Sequence, residues 1–260
     1  MIVAYHRPSR VEEALKLLAR SEPKTIVLAG GLMVNQGQPE PVEVVDIQNL
    51  DLTTVTSRGK TLTLGAGVTL QQMLDLDDVS PALARSIRHQ DSYNRRQMAT
   101  VAGSLLASGG RSPFLTACYA LDPVLTIAEH GQEACQEHLG DVLSLREERL
   151  QGKLITEIAV PRNAVLAYHY VARTPADRPI VAAAAARWPS GRTRVILGGY
   201  GPLPILVVDG PNKDGAVRAA ADAYSQAGDQ WSSAAYRGET AAVLVERCLQ
   251  EIQSNQEGNG

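Results

Sequence analysis

The stretch LAGGLMVNQGQ, residues 28–38, stands where the N-terminal part of the chain must turn. Its first two residues are the end of TIVLA (25–29), a run rich in β-branched residues that predicts a buried strand. Two glycines at the end of a strand let bare backbone approach a phosphate group, and they are equally typical of a tight turn. The three residues that follow, LMV, carry neither a hydroxyl group nor a charge. Three interpretations therefore stay open: a phosphate-binding loop, a former phosphate-binding loop, and only a tight turn.

The sequence on either side of this stretch predicts a small α/β unit. In HRPSRVEEALKLLARS we expect Ser9 to be the helix N-cap and Glu12 to be its capping-box partner. Pro23 is expected to end this helix, and VEVVDIQNL (42–50) predicts the next strand. We interpret this as β-α-β order, which favours a small parallel sheet.

The next part of the chain has the sequence pattern of a hairpin followed by short helices. Residues 53–74 alternate as the strands of a hairpin do, and Thr69 is expected to cap the short helix LQQML. Ser80 is expected to cap a helix that begins at the following proline. Between 95 and 127 the sequence predicts a glycine-bearing turn, a small-residue loop, a helix from about Ser112 and a strand.

Pro161, at the end of the predicted strand KLITEIAVP, marks a domain boundary. Beyond it, AVLAYHYVART, PIVAAAAARW and RTRVILGGYGP predict successive strands of an antiparallel sheet, followed by helices at 214–227 and 234–253. We therefore expect two domains. The first covers 1–161, with subdomains of about 1–52 and 53–161, and the second covers 162–260.

The composition of the 260 residues excludes several classes of protein. A net charge of −3 and a pI of about 6.0 give no indication of a nucleic-acid surface. No stretch of about 18 apolar residues predicts a membrane span, and the N-terminus has no signal-peptide pattern. Three widely spaced cysteines fit a reducing compartment without disulfides, so we expect a cytoplasmic protein.

Sequence patterns for a metal site, a catalytic serine and a dinucleotide-binding loop are weak or absent. HGQEACQEH brings His130, Cys135 and His138 close in sequence, but the spacing is irregular and lacks a fourth ligand, so no metal site is predicted. The nucleophile elbow G-x-S-x-G is absent, and GGYGP does not open a helix as a dinucleotide-binding G-x-G-x-x-G does. No catalytic residue is predicted.

Several strings, in this order, resemble one protein family. YHRPSRVEEALKLLA, VLAGG, VVDIQNL and LGAGVTLQQML come first, MATVAGSLLASGG, ALDPVLTI and LITEIAVP follow, and ARTPADRPIVAAAAA, VILGGYGP and SSAAYRGETAAVLVERCL complete the match. Together they resemble the FAD-binding (medium) subunits of molybdenum hydroxylases of the carbon monoxide dehydrogenase and xanthine dehydrogenase type. The resemblance covers nearly the whole chain.

The resemblance implies an α+β fold, with two small α/β FAD-binding subdomains (PCMH-type) followed by a C-terminal antiparallel sheet with helices. It implies that FAD lies between the subdomains and relays electrons from an iron–sulfur subunit to NAD or another acceptor. Molybdopterin is implied on a large partner subunit. The iron–sulfur clusters also belong to a partner, and this chain has no cysteine cluster to hold one.

The first flavin loop implied by the resemblance departs from the usual pattern. It keeps Ala29, Gly30 and Gly31, but Leu32 and Met33 stand where a small polar residue and then Asp or Asn are usual. Losing one side-chain hydrogen bond to the diphosphate costs roughly 1 kcal/mol. Backbone amides remain as donors.

The second loop departs as well. It usually reads Thr-Ile-Gly-Gly-Asn, and here it runs from Thr100 to Ser104 with Ala102 in place of a glycine. This exchange is tolerable if the backbone there has an ordinary φ, and it displaces the loop if φ must be positive. The family's Asp that contacts the sugar-like chain of the flavin falls on Pro113, for which Arg111 and Ser112 are possible substitutes.

Positions in the C-terminal domain complete the implied site. Arg173 and Asp177 match the family pattern near the flavin ring, and Tyr170 stands where Lys is often found, although a strand tyrosine is commonly just packed. Asp46 matches an Asp at a strand end, where a turn residue is equally common. The predicted flavin contacts are Ala29, Gly30, Gly31, Leu32, Met33, Val34, Thr100, Ala102, Gly103, Ser104, Ser108, Ser112, Tyr170 and Arg173.

Three functions remain open from the sequence. The first is an FAD-binding electron-transfer subunit of a molybdenum hydroxylase-type oxidoreductase. The second is a degenerate, flavin-free structural or assembly subunit, because four flavin-contact positions, Leu32, Met33, Ala102 and Pro113, depart together. The third is a flavoprotein that binds FAD differently or reduces its own small substrate.

Overall fold

The computed structural model describes residues 1–32 and 40–257, and contacts within the chain group it into two compact units. The first unit consists of Met1–Leu76, Tyr93–Ala107 and Pro123–Val160. The second consists of Asp77–Ser92, Ser108–Asp122 and Pro161–Gly260. The division into domains 1–161 and 162–260 remains a prediction, since two segments from the middle of the chain group with the C-terminal part.

The described residues form twelve strands and ten helices. The strands are β1 Ile2–His6, β2 Thr25–Leu28, β3 Val42–Asp46, β4 Val55–Arg58, β5 Thr61–Gly65, β6 Val124–Glu129, β7 Cys135–His138, β8 Lys153–Pro161, β9 Val165–Val171, β10 Val181–Arg187, β11 Thr193–Gly198 and β12 Ile205–Gly210. The helices are α1 Val11–Leu18, α2 Leu70–Leu74, α3 Pro81–Gln90, α4 Tyr93–Arg96, α5 Val101–Ala107, α6 Pro113–Leu121, α7 Leu139–Leu143, α8 Arg146–Arg149, α9 Ala216–Ala223 and α10 Ala234–Glu257. None of the helices in the described ranges is long and apolar enough to cross a lipid bilayer.

The N-terminal part of the first unit is the predicted parallel sheet. Its order is β1-β3-β2, and both pairs are parallel. Helix α1 covers the sheet by burying Leu15 and Leu18 against Val45 and Ile47. The apolar stripe of α1 is therefore the feature that closes this small core.

The predicted start and end of α1 are wrong. The helix begins after Arg10, which caps it without a side-chain hydrogen bond, whereas the amide of Ser9 donates to the carboxylate of Glu13 at 3.2 Å. Because Glu13 reaches back to the chain, no hydroxyl cap is needed at Ser9. The helix ends at Leu18, so Pro23 is not the residue that stops it.

The rest of the first unit is a five-stranded sheet of order β4-β5-β8-β6-β7. The predicted hairpin of β4 and β5 is confirmed as an antiparallel pair. Thr69 caps α2 as predicted, and its backbone amide in return donates to Oε1 of the Gln72 side chain at 2.9 Å. A complete capping box therefore starts this short helix.

Residues 101–107 form helix α5, so the predicted small-residue loop is wrong. Val101 and Leu105, one helical turn apart, are buried and fasten the segment to the core. The hydroxyl of Thr100 accepts a hydrogen bond from the amide of Gly103 at 3.1 Å and caps the first turn. The sequence does not indicate this helix clearly, because its glycine and its other small residues differ widely in intrinsic helix propensity.

The second unit contains the predicted antiparallel sheet, of order β12-β11-β10-β9. Its central strand β10 carries five consecutive alanines, and all of them are fully buried. Ala183 and Ala185 lie in the core formed with α9 and α10. Since side chains alternate along a strand, the other alanines face the opposite side of the sheet, where α6 packs against β10 and β11.

One buried cation connects the loops of the second unit. The Arg237 side chain is fully buried, and its guanidinium donates to the carbonyl oxygens of Ile180 and Gly199. It also donates to the carboxylate of Asp229 at 2.6 Å and lies 5.0 Å from the ring of Tyr200. Because this charge is buried, loss of any one of its partners is expected to destabilise the loops that Arg237 connects.

Replacing Arg237 with Ala is expected to destabilise the protein strongly, by about 3–5 kcal/mol, because Asp229 and two carbonyl groups lose their donor. The free energy of unfolding in urea measures this change. Arg218→Ala is the matched control, since Arg218 is exposed and pairs only with Asp222 on the same helix at 3.8 Å. The control is expected to change the free energy by less than about 0.5 kcal/mol. Equal losses in both variants would contradict the assignment.

Candidate functional site

Gly30 and Gly31 are both required by the backbone of the first unit. Gly31 has φ +73°, a left-handed conformation that favours glycine. An added Cβ at Gly30 would lie 1.8 Å from the carbonyl oxygen of Met98, so the two backbones touch there. The glycines at the end of β2 therefore serve a turn and a close backbone approach, irrespective of any ligand.

The same turn presents unbonded amides. In the part of the chain that the structure describes, the N–H groups of Gly30, Gly31 and Leu32 donate no hydrogen bond. The residues from Ala29 to Leu32 are half-buried. Successive free amides around a left-handed residue form a concave anion site. Met33 and Val34, the other two predicted contacts of this loop, lie outside the described residues.

The second predicted loop, Thr100–Ser104, is the beginning of α5. It is joined to the segment after β5, because the amide of Leu70 donates to Ala99 O and the amide of Val101 donates to Val68 O, both at 2.8 Å. Gly30 contacts the residues that lead into this helix, so the two predicted loops are brought together in the first unit.

The exchange of glycine for Ala102 costs this loop no backbone strain. Ala102 lies inside α5, and it is not among the described residues with positive φ. Gly103 and Ser104 follow in the same helical turn, where Ser104 N donates to Thr100 O at 2.9 Å. Of the two outcomes considered from the sequence, the structure has the ordinary backbone.

The donors of the first unit fit the diphosphate of a flavin dinucleotide. A diphosphate needs hydrogen-bond donors and close backbone approach, and the amides from Gly30 to Leu32 offer both. What the site lacks is a side-chain donor at Leu32. The loop can therefore bind an anion through its backbone, with fewer hydrogen bonds than a loop that carries a hydroxyl group.

The predicted contacts Ser108 and Ser112 belong to the second unit. Ser112 is buried and caps α6: its hydroxyl donates to Gln90 Oε1 at 2.7 Å and accepts from the amide of Leu115 at 3.1 Å. Its single proton is thus already used within the protein. Pro113, where the family has Asp, is the buried first residue of α6, a position at which proline is favoured. Ser108 is half-buried and also has a partner in the protein.

The other two predicted contacts, Tyr170 and Arg173, also lie in the second unit. The ring of Tyr170 lies 4.0 Å from the ring of His89 and 5.7 Å from that of Tyr168. Arg173 is exposed, and its guanidinium lies 5.7 Å from the ring of Trp231. The predicted contacts are therefore divided, with Ala29–Leu32 and Thr100–Ser104 in one unit and the others in the second.

His89 was not predicted from the sequence, and it supports Tyr170. Its Nε2 donates to the carbonyl oxygen of Asp177 at 2.8 Å in the neutral tautomer that this contact requires. Its Nδ1 is buried and has no partner among the described residues. Burial lowers the pKa of His89, the hydrogen bond to Asp177 raises it, and the charge of Arg178 lowers it further, with a net decrease. No sequence motif marks this histidine, because its partners are distant in sequence.

Asp46 has an internal role at the end of β3. It is buried, and its carboxylate accepts hydrogen bonds from the hydroxyl of Tyr5 and from the amide of Gln48. Arg7 lies 3.6 Å away. These contacts are those of a turn residue.

Gly30→Ala is expected to lower the free energy of unfolding by about 3 kcal/mol, because the new methyl group overlaps the carbonyl of Met98. Gly210→Ala is the matched control, since an added Cβ at Gly210 meets nothing within 4 Å and its φ is not positive. The control should be neutral or stabilising by up to about 1 kcal/mol. Chemical unfolding of both variants measures the difference, and an unchanged Gly30→Ala protein would disprove the close approach.

His89 is expected to make stability fall in mild acid. Because the fold lowers the pKa of His89, the unfolded chain takes up a proton below about pH 6.5 that the folded chain resists. This contribution is complete above the unfolded pKa and is lost as the pH falls through the folded pKa. His89→Gln, which retains a donor for Asp177, should show a smaller loss of unfolding free energy between about pH 7.5 and about pH 5.5. His130→Gln, at an exposed histidine, should behave as the unmodified protein.

One family model matches more than half of the chain. The FAD binding domain in molybdopterin dehydrogenase matches residues 1–163 of the chain. The uncharacterized protein YgfM of Escherichia coli (strain K12) is 27% identical over 255 residues, which are 94% of each chain.

Solved structures show that the fold is shared along the whole chain. The Cu,Mo-CO dehydrogenase in its cyanide-inactivated form has a TM-score of 0.79 at 20% identity, with 98% of both chains covered. Quinoline 2-oxidoreductase from Pseudomonas putida 86 has a TM-score of 0.78 at 20% identity, with 97% of both covered. The predicted α+β fold with a C-terminal antiparallel sheet is confirmed. Since the family match spans more than half of the sequence, the chain belongs to the family of FAD-binding domains of molybdopterin dehydrogenases.

Proposed function

We propose that the chain is the FAD-binding subunit of a molybdenum hydroxylase-type oxidoreductase complex and relays electrons between an iron–sulfur subunit and an acceptor. The observation that supports this most directly is the set of unbonded amides from Gly30 to Leu32, held beside the start of α5. Membership of the family adds the expectation of a flavin.

In this proposal the chain binds and orients the cofactor and does not act as an acid or base. Bound FAD would supply the one- and two-electron chemistry. The amides of Gly30, Gly31 and Leu32 would donate to its diphosphate, and Thr100–Ser104 would lie along it. Tyr170 and Arg173 are proposed as contacts of the second unit.

The cysteines support a division of labour between subunits. Cys118 and Cys248 are buried, and burial raises the pKa of each thiol to about 12, so neither is a ready thiolate ligand. The sequence has three cysteines, and Cys135 is the one that remains. An iron–sulfur cluster needs about four ligands, so we place the clusters and the molybdopterin on partner subunits. We propose that the complex is cytoplasmic.

A flavin-free structural or assembly subunit is the alternative, and three observations favour it. Leu32 offers no side-chain donor, and the hydroxyl of Ser112 is committed to Gln90. The position of the family's Asp is a buried proline at the start of α6. Such a subunit would keep the fold and the partner interface but would no longer bind the cofactor.

The content of FAD distinguishes the two functions. The tagged chain is purified together with its partners from its own cells, its visible spectrum is recorded, and acid-released nucleotide is counted per chain. About one FAD per chain supports the electron-transfer subunit. A complete complex with bound partners and no flavin overturns that proposal and supports the alternative.

Leu32→Thr is expected to tighten FAD binding about fivefold, because one added hydroxyl donor is worth roughly 1 kcal/mol. Titration of FAD into flavin-depleted protein, followed by flavin fluorescence, measures the affinity. Leu145→Thr is the control for the same exchange, since Leu145 is exposed and belongs to no predicted loop. A gain of less than about twofold would mean that Leu32 does not face the diphosphate.

A further inference from the structure

The loop between β9 and β10, residues 172–180, is held through its carbonyl oxygens, and we name it the strap. Four consecutive carbonyl groups near its end accept hydrogen bonds from side chains of three separate segments of the second unit. The pairs are His89 Nε2 with Asp177 O at 2.8 Å, Arg111 Nη2 with Arg178 O and Arg111 Nε with Pro179 O, both at 3.0 Å, and Arg237 Nη1 with Ile180 O.

The two ends of the strap are held differently. Residues 173–177 are exposed, whereas Pro179 and Ile180 are buried. At the buried end the two arginines hold the carbonyl groups, and the amide of Ile180 also donates to Val171 O at 2.8 Å. The exposed end is tied down by the hydrogen bond of His89 and by the Arg173 guanidinium, which lies 5.7 Å from the ring of Trp231. An exposed contact of this second kind is weak, so His89 is the main fastening of residues 173–177.

Of the three donors, His89 is the one whose charge changes near neutral pH. Arginine stays protonated in proteins, whereas histidine titrates between about pH 5 and pH 8. Since Nε2 of His89 donates to a carbonyl oxygen, Nδ1 carries the lone pair in the neutral ring. Nδ1 is buried, and no acceptor for it lies among the described residues. Protonation would therefore create a buried N–H group without a partner, which is unfavourable.

The surroundings of the ring also oppose a positive charge. Burial lowers the pKa of His89, the hydrogen bond to Asp177 O raises it, and the charge of Arg178 lowers it, with a net decrease. The ring of Tyr170, 4.0 Å away on β9, offers a face that attracts cations. The net decrease means that burial outweighs this attraction.

The remaining ionisable groups near His89 lie on three elements. Helix α3 packs against α6 and β9. The groups are Arg85, Arg88 and Asp91 on or just after α3, Tyr168 on β9, and Cys118 and Tyr119 on α6. Arg85 is paired with Glu251 at 3.5 Å, and Asp91 with Arg178 at 3.7 Å. The carboxylate of Asp177 acts on Arg111, whose pKa it raises against the larger effect of burial.

We propose that residues 172–180 form a pH-operated strap, which neutral His89 holds closed and protonated His89 releases. In the open form the imidazolium moves into water, Asp177 O loses its donor, and residues 173–177 leave α3. Arg111 and Arg237 keep residues 178–180 in place as the hinge. Arg173 lies on the strap, so opening would also move a proposed flavin contact, and this consequence alone rests on the proposed function.

The direction of the pH effect follows from the two forms. In the closed strap His89 resists a proton, whereas in the open strap it is exposed and has an ordinary pKa of about 6.5. Opening is therefore favoured as the pH falls below about 6.5. Between about pH 7.5 and about pH 5.5 a single histidine can raise the open population at most about tenfold.

Hydrogen–deuterium exchange of the full chain without flavin tests the strap. Rates at about pH 7.5 and about pH 5.5 are each divided by the intrinsic exchange rate at the same pH. The amide of Asp177, which donates to Thr174 O at 3.1 Å within the strap, should lose protection severalfold, and at most about tenfold, in acid. The amide of Ile180, at the hinge, should keep its protection.

Two variants assign the effect to His89. His89→Gln keeps a donor for Asp177 O but does not titrate, so its strap should show the same protection at both pH values. His130→Gln, at an exposed histidine of the first unit, should retain the pH response of the parent. His89→Lys places a lasting charge at this position and should open the strap already at about pH 7.5. If His89→Lys does not fold, His89→Gln still decides the question.

Three results would overturn the proposal. They are unchanged protection at Asp177 in the parent, a pH response that survives in His89→Gln, and an equal loss of protection along β10, which would mean that the whole unit loosens. A separate titration with FAD at both pH values keeps the two proposals apart. Failure to bind FAD at either pH would contradict only the proposed function, because the exchange experiment contains no flavin.

Discussion

The contact of Gly30 with the carbonyl of Met98 is the constraint on which the candidate site depends. It joins the end of β2 to the segment that leads into α5, two parts of the chain about seventy residues apart, without any side chain between them. Only glycine permits such an approach. Within residues 1–32 and 40–257, the amides from Gly30 to Leu32 donate no hydrogen bond, so one feature of the backbone both closes the fold and offers donors to an anion.

In the second unit, helices pack on a sheet whose strand β10 carries very small side chains. The alanines of β10 allow α10 and α6 to pack closely against the sheet, and the charge of Arg237 then holds the loops at its edge. This buried cation, through Asp229, also sets the turn that carries Trp231. The packing around Arg237 and the conformation of this turn are therefore coupled through Asp229.

Local patterns were the reliable part of the prediction. The caps at Thr69 and Ser80 and the antiparallel strands were found correctly, because these elements depend on neighbours within a few residues. Ser9 failed as a cap because Glu13 supplies the contact instead. Helix α5 was missed since its small residues resemble a loop, and it is stabilised by Val68 and Leu70 from another segment. The two loops of the site were predictable from sequence motifs, but the contact of His89 with Tyr170 was not.

The sequence by itself determined the parallel N-terminal sheet, the hairpin of β4 and β5, the C-terminal antiparallel sheet and the family to which the chain belongs, because periodicity and motif order are local properties. Only the tertiary structure decided what individual residues do. Ala102 is harmless because it lies in a helix, and Ser112 is committed because Gln90 from α3 reaches its hydroxyl. The two tryptophans look alike in sequence, yet Trp231 is exposed on a turn held by Asp229, whereas the arginine stacked on Trp188 is paired with Asp209. Such differences arise from which distant groups the fold brings within a few ångströms, where charge and hydrogen bonding are decided.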